Sequence, residues 1–374
     1  MIPRTPEKVN IAVTGKCNLS CQYCFFAGEM SGLKDLATAE WSDIISKLGN
    51  LKVMGVTLSG GEAFTRPDIF EIIDEVILNK MRYRILSNGT LIDNRTIERL
   101  NTGKRRIRLE HIQISLDGSC AEIHNRTRPD SFAGAIRALQ LLNDAGIPLE
   151  VRVTINKHNI GDLENIAKLL LEDIGIQSFA TNEAIPLGSG CRQQESICLS
   201  SQETIVTMET IQRLQKRYPG GVKGNAGPIS KLKMYQQMEL AKKTGVRAKS
   251  WSMGFLSACG CAFKSIDILH DGTIVPCCML PGLKLGNIKS DNLNEIWLEH
   301  PVLRALRERV MIPMQSLEEC GDCEWAFFCN GGCPAVPFQE TGSLHRANTR
   351  DCYKKFKMET STDKDNNAEK IHIQ

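Results

Sequence analysis

The sequence predicts an α/β protein, a partial (βα)6 barrel followed by a small cysteine-rich α+β domain, and three observations carry this. Short apolar or β-branched runs alternate with helix-period segments from residue 9 to about 182. A glycine-rich break follows near residue 220. Beyond Ser257 the density of cysteine rises sharply. At 374 residues and 42% apolar content, the chain can bury more than one core.

Six strands are expected, at Val9 to Thr14, Val53 to Leu58, Tyr83 to Leu86, His111 to Ser115, Leu149 to Ile155 and Ile176 to Thr181. Each runs into a polar or glycine-rich turn, as strands of a covered parallel sheet do. Between the first two, Trp41, Ile44, Ile45 and Leu48 recur at helical spacing and form one apolar face. Pro67 opens the next helix, with Ile69, Ile72, Ile73 and Val76 on its inner side. Ser200 and Glu203 have capping-box spacing for a helix reaching about Arg217. The expected divisions are a barrel over residues 1–219, a linker or bridging region over 220–257, the cysteine-rich domain over 258–357, and a polar tail over 358–374 without fixed structure.

Composition narrows the function. A net charge of +3 with 24% charged residues sets up no field that would favour nucleic acid or anionic lipid. No stretch approaches the roughly 20 apolar residues that span a bilayer, and the start lacks a signal-peptide pattern, so the expected location is cytoplasmic, without membrane or nucleic-acid partners. Fifteen cysteines, an odd number at close spacings, point to metal sites rather than disulfides in such a compartment. The seven histidines form no i, i+4 pair, and there is no serine elbow, so hydrolysis and acyl transfer have no support.

Cys17, Cys21 and Cys24 directly follow the first strand, where βα folds concentrate chemistry. Three thiolates in one loop leave one iron of a four-iron cluster open to a chelating cofactor; a zinc site or three core cysteines are the plainer alternatives. The C-x3-C-x2-C spacing, with Tyr23 before the last cysteine, resembles the signature of the radical S-adenosylmethionine (SAM) superfamily. That resemblance implies a TIM-like partial barrel and assigns further residues. Gly60, Gly61 and Glu62 resemble the motif that holds the SAM amino group, and Ser87 and Asn88 the contacts near its ribose. Ser115 and Arg128 would grip its carboxylate, with Arg126 also available. Arg152, Asn156 and Leu187 resemble further SAM-lining positions.

In the second group, Cys261, Cys277, Cys320, Cys323, Cys329, Cys333 and Cys352 exceed the needs of one metal, and spacing alone fits two four-iron clusters or two zincs. Their order resembles the seven-cysteine SPASM extension of radical SAM enzymes, which implies two auxiliary four-iron clusters and three in all. By that resemblance Cys320, Cys323, Cys329 and Cys352 hold the outer cluster, and Cys261, Cys277, Cys333 and Cys259 the inner one. The tight Cys259-Gly260-Cys261 spacing leaves open an inner cluster with one substrate-binding iron. Cys278 stands where sulfatase-maturing relatives carry an aspartate base, and is a candidate catalytic hydrogen-atom donor, an alternate ligand, or a buried small hydrophobe.

The implied function is reductive cleavage of SAM to a 5′-deoxyadenosyl radical that abstracts a substrate hydrogen. A ribosomally made peptide is the expected substrate, with a thioether or carbon–carbon crosslink, an epimerisation or an excision as outcome. The expected partners are that peptide, a flavodoxin- or ferredoxin-type reductant and, since the first strand begins by residue 9, a separate leader-binding protein. A small molecule or cofactor precursor is the alternative substrate; a non-catalytic metal or electron-transfer protein is the alternative class.

Overall fold

A computed structural model describes residues 2–28, 34–224, 226–247 and 253–361, with Ser361 described by its backbone alone. Six parallel strands lie where the apolar runs place them: β1 (Lys8–Ala12), β2 (Gly55–Ser59), β3 (Arg82–Ser87), β4 (Leu109–Ser115), β5 (Leu149–Ile155) and β6 (Phe179–Glu183). The sixth starts three residues later than expected, because Ile176 is taken up in the preceding turn, its N–H donating to the Leu170 carbonyl at 2.8 Å. Four short strands were not foreseen: β7 (Val222–Lys223), β8 (Ser265–Ile268), β9 (Thr273–Val275) and β10 (Gly286–Asn287). All ten form one sheet in the order β10-β9-β8-β1-β2-β3-β4-β5-β6-β7.

The cysteine-rich half does not build a sheet of its own. β8 pairs in parallel with β1, Asn10 opposite Asp267, and carries the antiparallel β9 and β10 outward. An unpaired edge beside β1 would cost its ladder hydrogen bonds, and β8 supplies them. Trp297, fully buried, donates its indole N–H to the Pro3 carbonyl at 2.9 Å and ties the late helices to the chain start.

Within the stretch over 220–257, residues Pro228–Thr244 form a 17-residue helix with Pro228 in its first turn and Gly245, left-handed at φ 72°, at its end. Gly227 serves close packing: a Cβ on it would sit 2.8 Å from the Asn182 carbonyl carbon, so the chain lies directly on β6. At the far end the tail is helical over Tyr353–Ser361, anchored by Tyr353 and Lys357 on Glu239 (2.5 and 2.8 Å). The rest of the expected unstructured tail, 362–374, lies outside the described residues.

The outer helices present the faces their periodicity sets. Trp41, Ile44, Ile45 and Leu48 of Thr38–Asn50, and Ile69, Ile72, Ile73 and Val76 of Ile69–Leu78, are all buried against the sheet. The Ser200–Glu203 capping box forms, the Ser200 N–H donating to Glu203 at 2.8 Å. Burial of these faces, at about 25 cal/mol per Å2, holds the barrel wall rigid around its lumen.

Candidate active site

The loop after β1 is clamped from beneath before any cofactor is considered. Asp35 accepts from Thr14 Oγ1 (2.6 Å) and the Gly15 N–H (2.8 Å), and Arg66 donates to the carbonyls of Val13 and Leu36, both at 2.9 Å. The turn after β2 seals it: the Gly61 N–H donates to the Thr14 carbonyl (2.9 Å) and the Glu62 N–H to the Lys16 carbonyl (2.8 Å). A Cβ on Gly61 would lie 2.2 Å from the Lys16 carbonyl oxygen and 2.8 Å from Cys17 Cβ; one on Gly60, at φ 143°, would lie 2.3 Å from the Thr14 oxygen. These glycines are required for backbone to touch backbone under the cysteine loop.

Glu62 is buried and ties three turns together. Its carboxylate accepts from Ser87 Oγ (2.9 Å), the Asn88 N–H (2.7 Å) and the Phe64 N–H (3.2 Å). Burial raises its pKa and those donors pull it back. Asn88 in turn donates to Asn18 of the cysteine loop at 2.9 Å.

On the other side stands an ion pair that sequence reading left without a role. Asp117, at the end of β4, accepts from Arg128 Nε (2.6 Å), the Thr154 N–H (2.7 Å) and the Tyr23 hydroxyl. Arg128 Nη1 also reaches Cys21 Sγ at 3.8 Å. Burial pushes the Cys21 thiol up and Arg128 opposes it; burial carries Cys24 up to about 11. Of the two candidate arginines, Arg126 pairs with Glu122 at 3.0 Å, while Arg128 lines the cavity.

A cavity of about 1150 Å3 opens above this loop. Cys17, Cys21, Cys24, Gly60, Gly61, Glu62, Ser87, Asn88, Ser115, Arg128 and Arg152 all line it. Two expected SAM-lining residues do not. Asn156 is fully buried and spent locally, donating to the Thr154 carbonyl (2.9 Å) and accepting from the His158 N–H (2.9 Å). Leu187 packs into a cluster with Leu280 and Ala335, and Ala184 and Ile185 take its place on the wall. Asn156 was placed by its position at the end of the fifth strand and Leu187 by its position after the sixth; neither position fixes which way the side chain faces.

Across the lumen the register carries a polar row that strand-by-strand reading missed: Asp267, Asn10, Thr57 and Arg84 are successive partners on β8, β1, β2 and β3. The signal was available as polar residues alternating with Val9, Ile11, Val56, Leu58 and Ile85, although β8 itself was not. Asn10 donates to Asp267 at 2.7 Å, and burial holds the Asp267 carboxyl up at about 6.

The second group converges as two sets. Cys320 is raised to about 12 by burial and then by Cys329, Glu319, Cys323 and Cys352; Cys329 rises to about 11, with Cys352 and Cys323 contributing after burial. Thiols that raise one another's pKa are close, and such a set is relieved by a cationic metal centre. Cys261 hydrogen-bonds Cys259, favouring the Cys259 thiolate and holding Cys261 protonated, and both Cys261 and Cys333 feel Cys259 and Cys277. The tight spacing therefore does not keep Cys259 and Cys261 apart. Cys278 lines the cavity beside them, its N–H donating to Asp267 at 2.6 Å, and Asp267, Cys277 and Cys278 bring ligand atoms within 4.8 Å of one another. Donor sets made of thiols have the chemistry to hold iron–sulfur clusters, and the three-thiol set lines the cavity.

Comparison with known proteins agrees. Residues 11–170 match the radical SAM superfamily, and residues 259–324 match SPASM, an iron–sulfur cluster-binding domain. The chain is 30% identical over 349 residues to the AdoMet-dependent heme synthase of Methanosarcina barkeri, covering 90% of this chain and 93% of that protein. It is 26% identical to the mycofactocin maturase MftC of Mycobacterium ulcerans, covering 87% and 82%. Among solved structures, Streptococcus suis SuiB bound to the precursor peptide SuiA superposes with a TM-score of 0.71 at 16% identity, covering 94% of this chain and 77% of that one. No helix among the described residues is long and apolar enough to cross a membrane. With a three-cysteine loop beside a large cavity and a second cysteine set joined to the same sheet, the chain belongs to the radical SAM superfamily, in the SPASM-domain branch, and is an enzyme that binds SAM and iron–sulfur clusters.

Proposed function

We propose that this enzyme modifies a ribosomally made peptide by hydrogen abstraction, in the cytoplasm, using three four-iron clusters. The observation that carries the peptide reading is the lumen. Among its inward positions are hydrogen-bonding side chains (Asn10, Thr57, Ser59, Gln113, Thr154 and Asn182) that can pair with peptide amides.

Cys17, Cys21 and Cys24 would hold the SAM cluster, which when bound supplies the electron that cleaves SAM to methionine and the 5′-deoxyadenosyl radical. Ser115 and Arg128 would hold the SAM carboxylate, with Arg128 already oriented by Asp117, and the turn at Gly60 to Glu62 its amino group. Ser87, Asn88 and Arg152 would line the rest of its site. Cys259, Cys261, Cys277 and Cys333 would hold the inner auxiliary cluster, and Cys320, Cys323, Cys329 and Cys352 the outer. Cys278, facing the cavity, would donate a hydrogen atom or shift onto the inner cluster. A flavodoxin- or ferredoxin-type protein would supply electrons, and a separate protein would present the peptide's leader.

The second reading, action on a tetrapyrrole, is favoured by the 30% identity to a heme synthase. One experiment separates them. Reconstituted anaerobically, the enzyme should carry about twelve irons and form 5′-deoxyadenosine, and it should change the mass of a candidate precursor peptide. All turnover should be lost in Cys17→Ala/Cys21→Ala/Cys24→Ala. Mass change on a carboxylated iron porphyrin and none on peptides would select the second reading; zinc content without SAM cleavage would overturn both.

A further inference from the structure

Beside the cavity lies a group of charged side chains in which cations outnumber carboxylates, and Arg84, His111, Glu150 and Arg152 of this group line the cavity. Lys8, Arg82 and Arg84 all face one carboxylate, Glu110, at 3.4, 3.7 and 3.7 Å. On the next strand Glu150 is shared by Arg152 at 2.7 Å and the His111 ring at 3.5 Å. His111 lies near Arg84 and Glu150, its pKa lowered by burial despite Glu150 and further by Arg84, so the ring is neutral at pH 7. Four permanent cations against two carboxylates leave a surplus of two positive charges. Arg84 lines the cavity with its side chain 26% accessible, and its only ion-pair partner among the described residues is Glu110, 3.7 Å from Nε, beyond hydrogen-bond distance. Its Nη groups have no hydrogen-bond acceptor among the described residues, which leaves a planar fork suited to a bidentate anion.

We propose that Arg84, with the His111 ring beside it and Arg152 across Glu150, forms a carboxylate-binding subsite on the cavity wall, and that the substrate is anchored there by a carboxylate. The inference rests on the peptide reading only for the source of that group, an Asp or Glu side chain or the peptide's C-terminus; the subsite stands on geometry alone. Anchoring there fixes the distance between the carboxylate and the cysteine loop, so the enzyme would select the hydrogen it takes by its spacing from an acid.

The test uses the reconstituted wild-type enzyme with SAM, without reductant. Phenylglyoxal labelling of Arg84 is followed by peptide mass spectrometry, with exposed Arg95 as internal control. N-acetylglutamate α-amide should slow labelling of Arg84 at least about fivefold and leave Arg95 unchanged, whereas N-acetylglutamine α-amide should protect neither. N-acetyl-Gly-Gly, whose only carboxylate is C-terminal, distinguishes the sources: protection by it alone assigns the C-terminus, and protection by the glutamate amide assigns a side chain. As a second measurement, Arg84→Gln should bind the protecting acid about tenfold more weakly than wild type by calorimetry. Labelling of Arg84 slowed by neither acid, or unchanged affinity of Arg84→Gln for an acid that protects, overturns the subsite. Failure of the peptide reading shows separately, as protection at Arg84 without mass change on any peptide.

Discussion

The three-thiol loop and the C-terminal cysteine group are held by opposite means. The first lies within eight residues of chain, and its shape comes from what presses on it from below: Asp35, Arg66 and the backbone of Gly61 and Glu62. The second gathers thiols from Cys259 to Cys352, and its shape comes from a strand pair with the barrel and from a chain of short 3-10 turns, among them Gly260–Ala262, Glu318–Cys320 and Thr349–Asp351. A local site tolerates change far away and fails when its seat is disturbed. A dispersed site fails when any one of the loops that meet there is released.

The sharpest way to break the first kind is therefore its seat. Gly61→Ala places a methyl 2.2 Å from the Lys16 carbonyl oxygen, a backbone atom that a rotamer change cannot move. The cysteine loop must lift, at a cost of roughly 2–4 kcal/mol. SAM cleavage should fall by about 100-fold or more, with iron lost from the first site while that of the second group is retained. Iron content and 5′-deoxyadenosine yield, measured together, check it. Iron lost equally from both groups would show that the two are one cooperative unit.

For the dispersed group the matching point is Arg309. It is fully buried and donates to the carbonyls of Ser257 (2.7 Å), Arg346 (3.4 Å) and Leu344, so one guanidinium fastens the chain before Cys259 to the chain before Cys352. Arg309→Met keeps the bulk and leaves three carbonyls unpaired. The expected loss is about 3 kcal/mol, read as a fall of several degrees in the unfolding midpoint and as loss of iron from the second group first. Loss confined to the first group would reverse the comparison.

This contrast also explains what the sequence made legible. Cys17, Cys21 and Cys24 declare themselves by spacing, and the helices on either side by period, because both are local. β8 is a four-residue run, Ser265–Ile268, whose pairing with β1 depends on a contact across more than 250 residues, so no local signal reveals it. Asp267 went unnoticed for the same reason. Asn156 and Leu187 lie off the cavity wall because a residue's order along the chain does not fix which way its side chain faces, and Gly227 shows that glycine marks close packing as readily as a break between elements.

The smallest expected effect concerns acid, and it falls on the first region. Behind Cys21 stand Arg128 and Asp117, and behind Asp117 stands His124, buried, its Nδ1 accepting the Asp117 N–H at 3.0 Å and its Nε2 2.9 Å from Ser131 Oγ. Burial holds the His124 pKa down at about 4 against an ordinary 6.5. Between those values the unfolded chain takes up a proton that the folded chain refuses, so the stability this residue contributes is whole above pH 6.5 and is lost as the pH falls toward 4. Lowering the pH from 7 to 5 should cost about 2 kcal/mol through this ring. Protonation of cluster thiolates adds its own acid sensitivity to the whole protein, so the informative quantity is a difference. His124→Gln retains an acceptor for the Asp117 N–H but cannot titrate. The gap between the variant's unfolding midpoint and that of wild type should change by this amount from pH 7 to 5 and stay level above pH 7. In wild type, SAM cleavage should be lost on acidification before iron leaves the second group. A gap that does not vary with pH would mean that the ring is no acid-sensitive support, and that the seat of the first loop rests on Asp35, Arg66 and the two glycines alone.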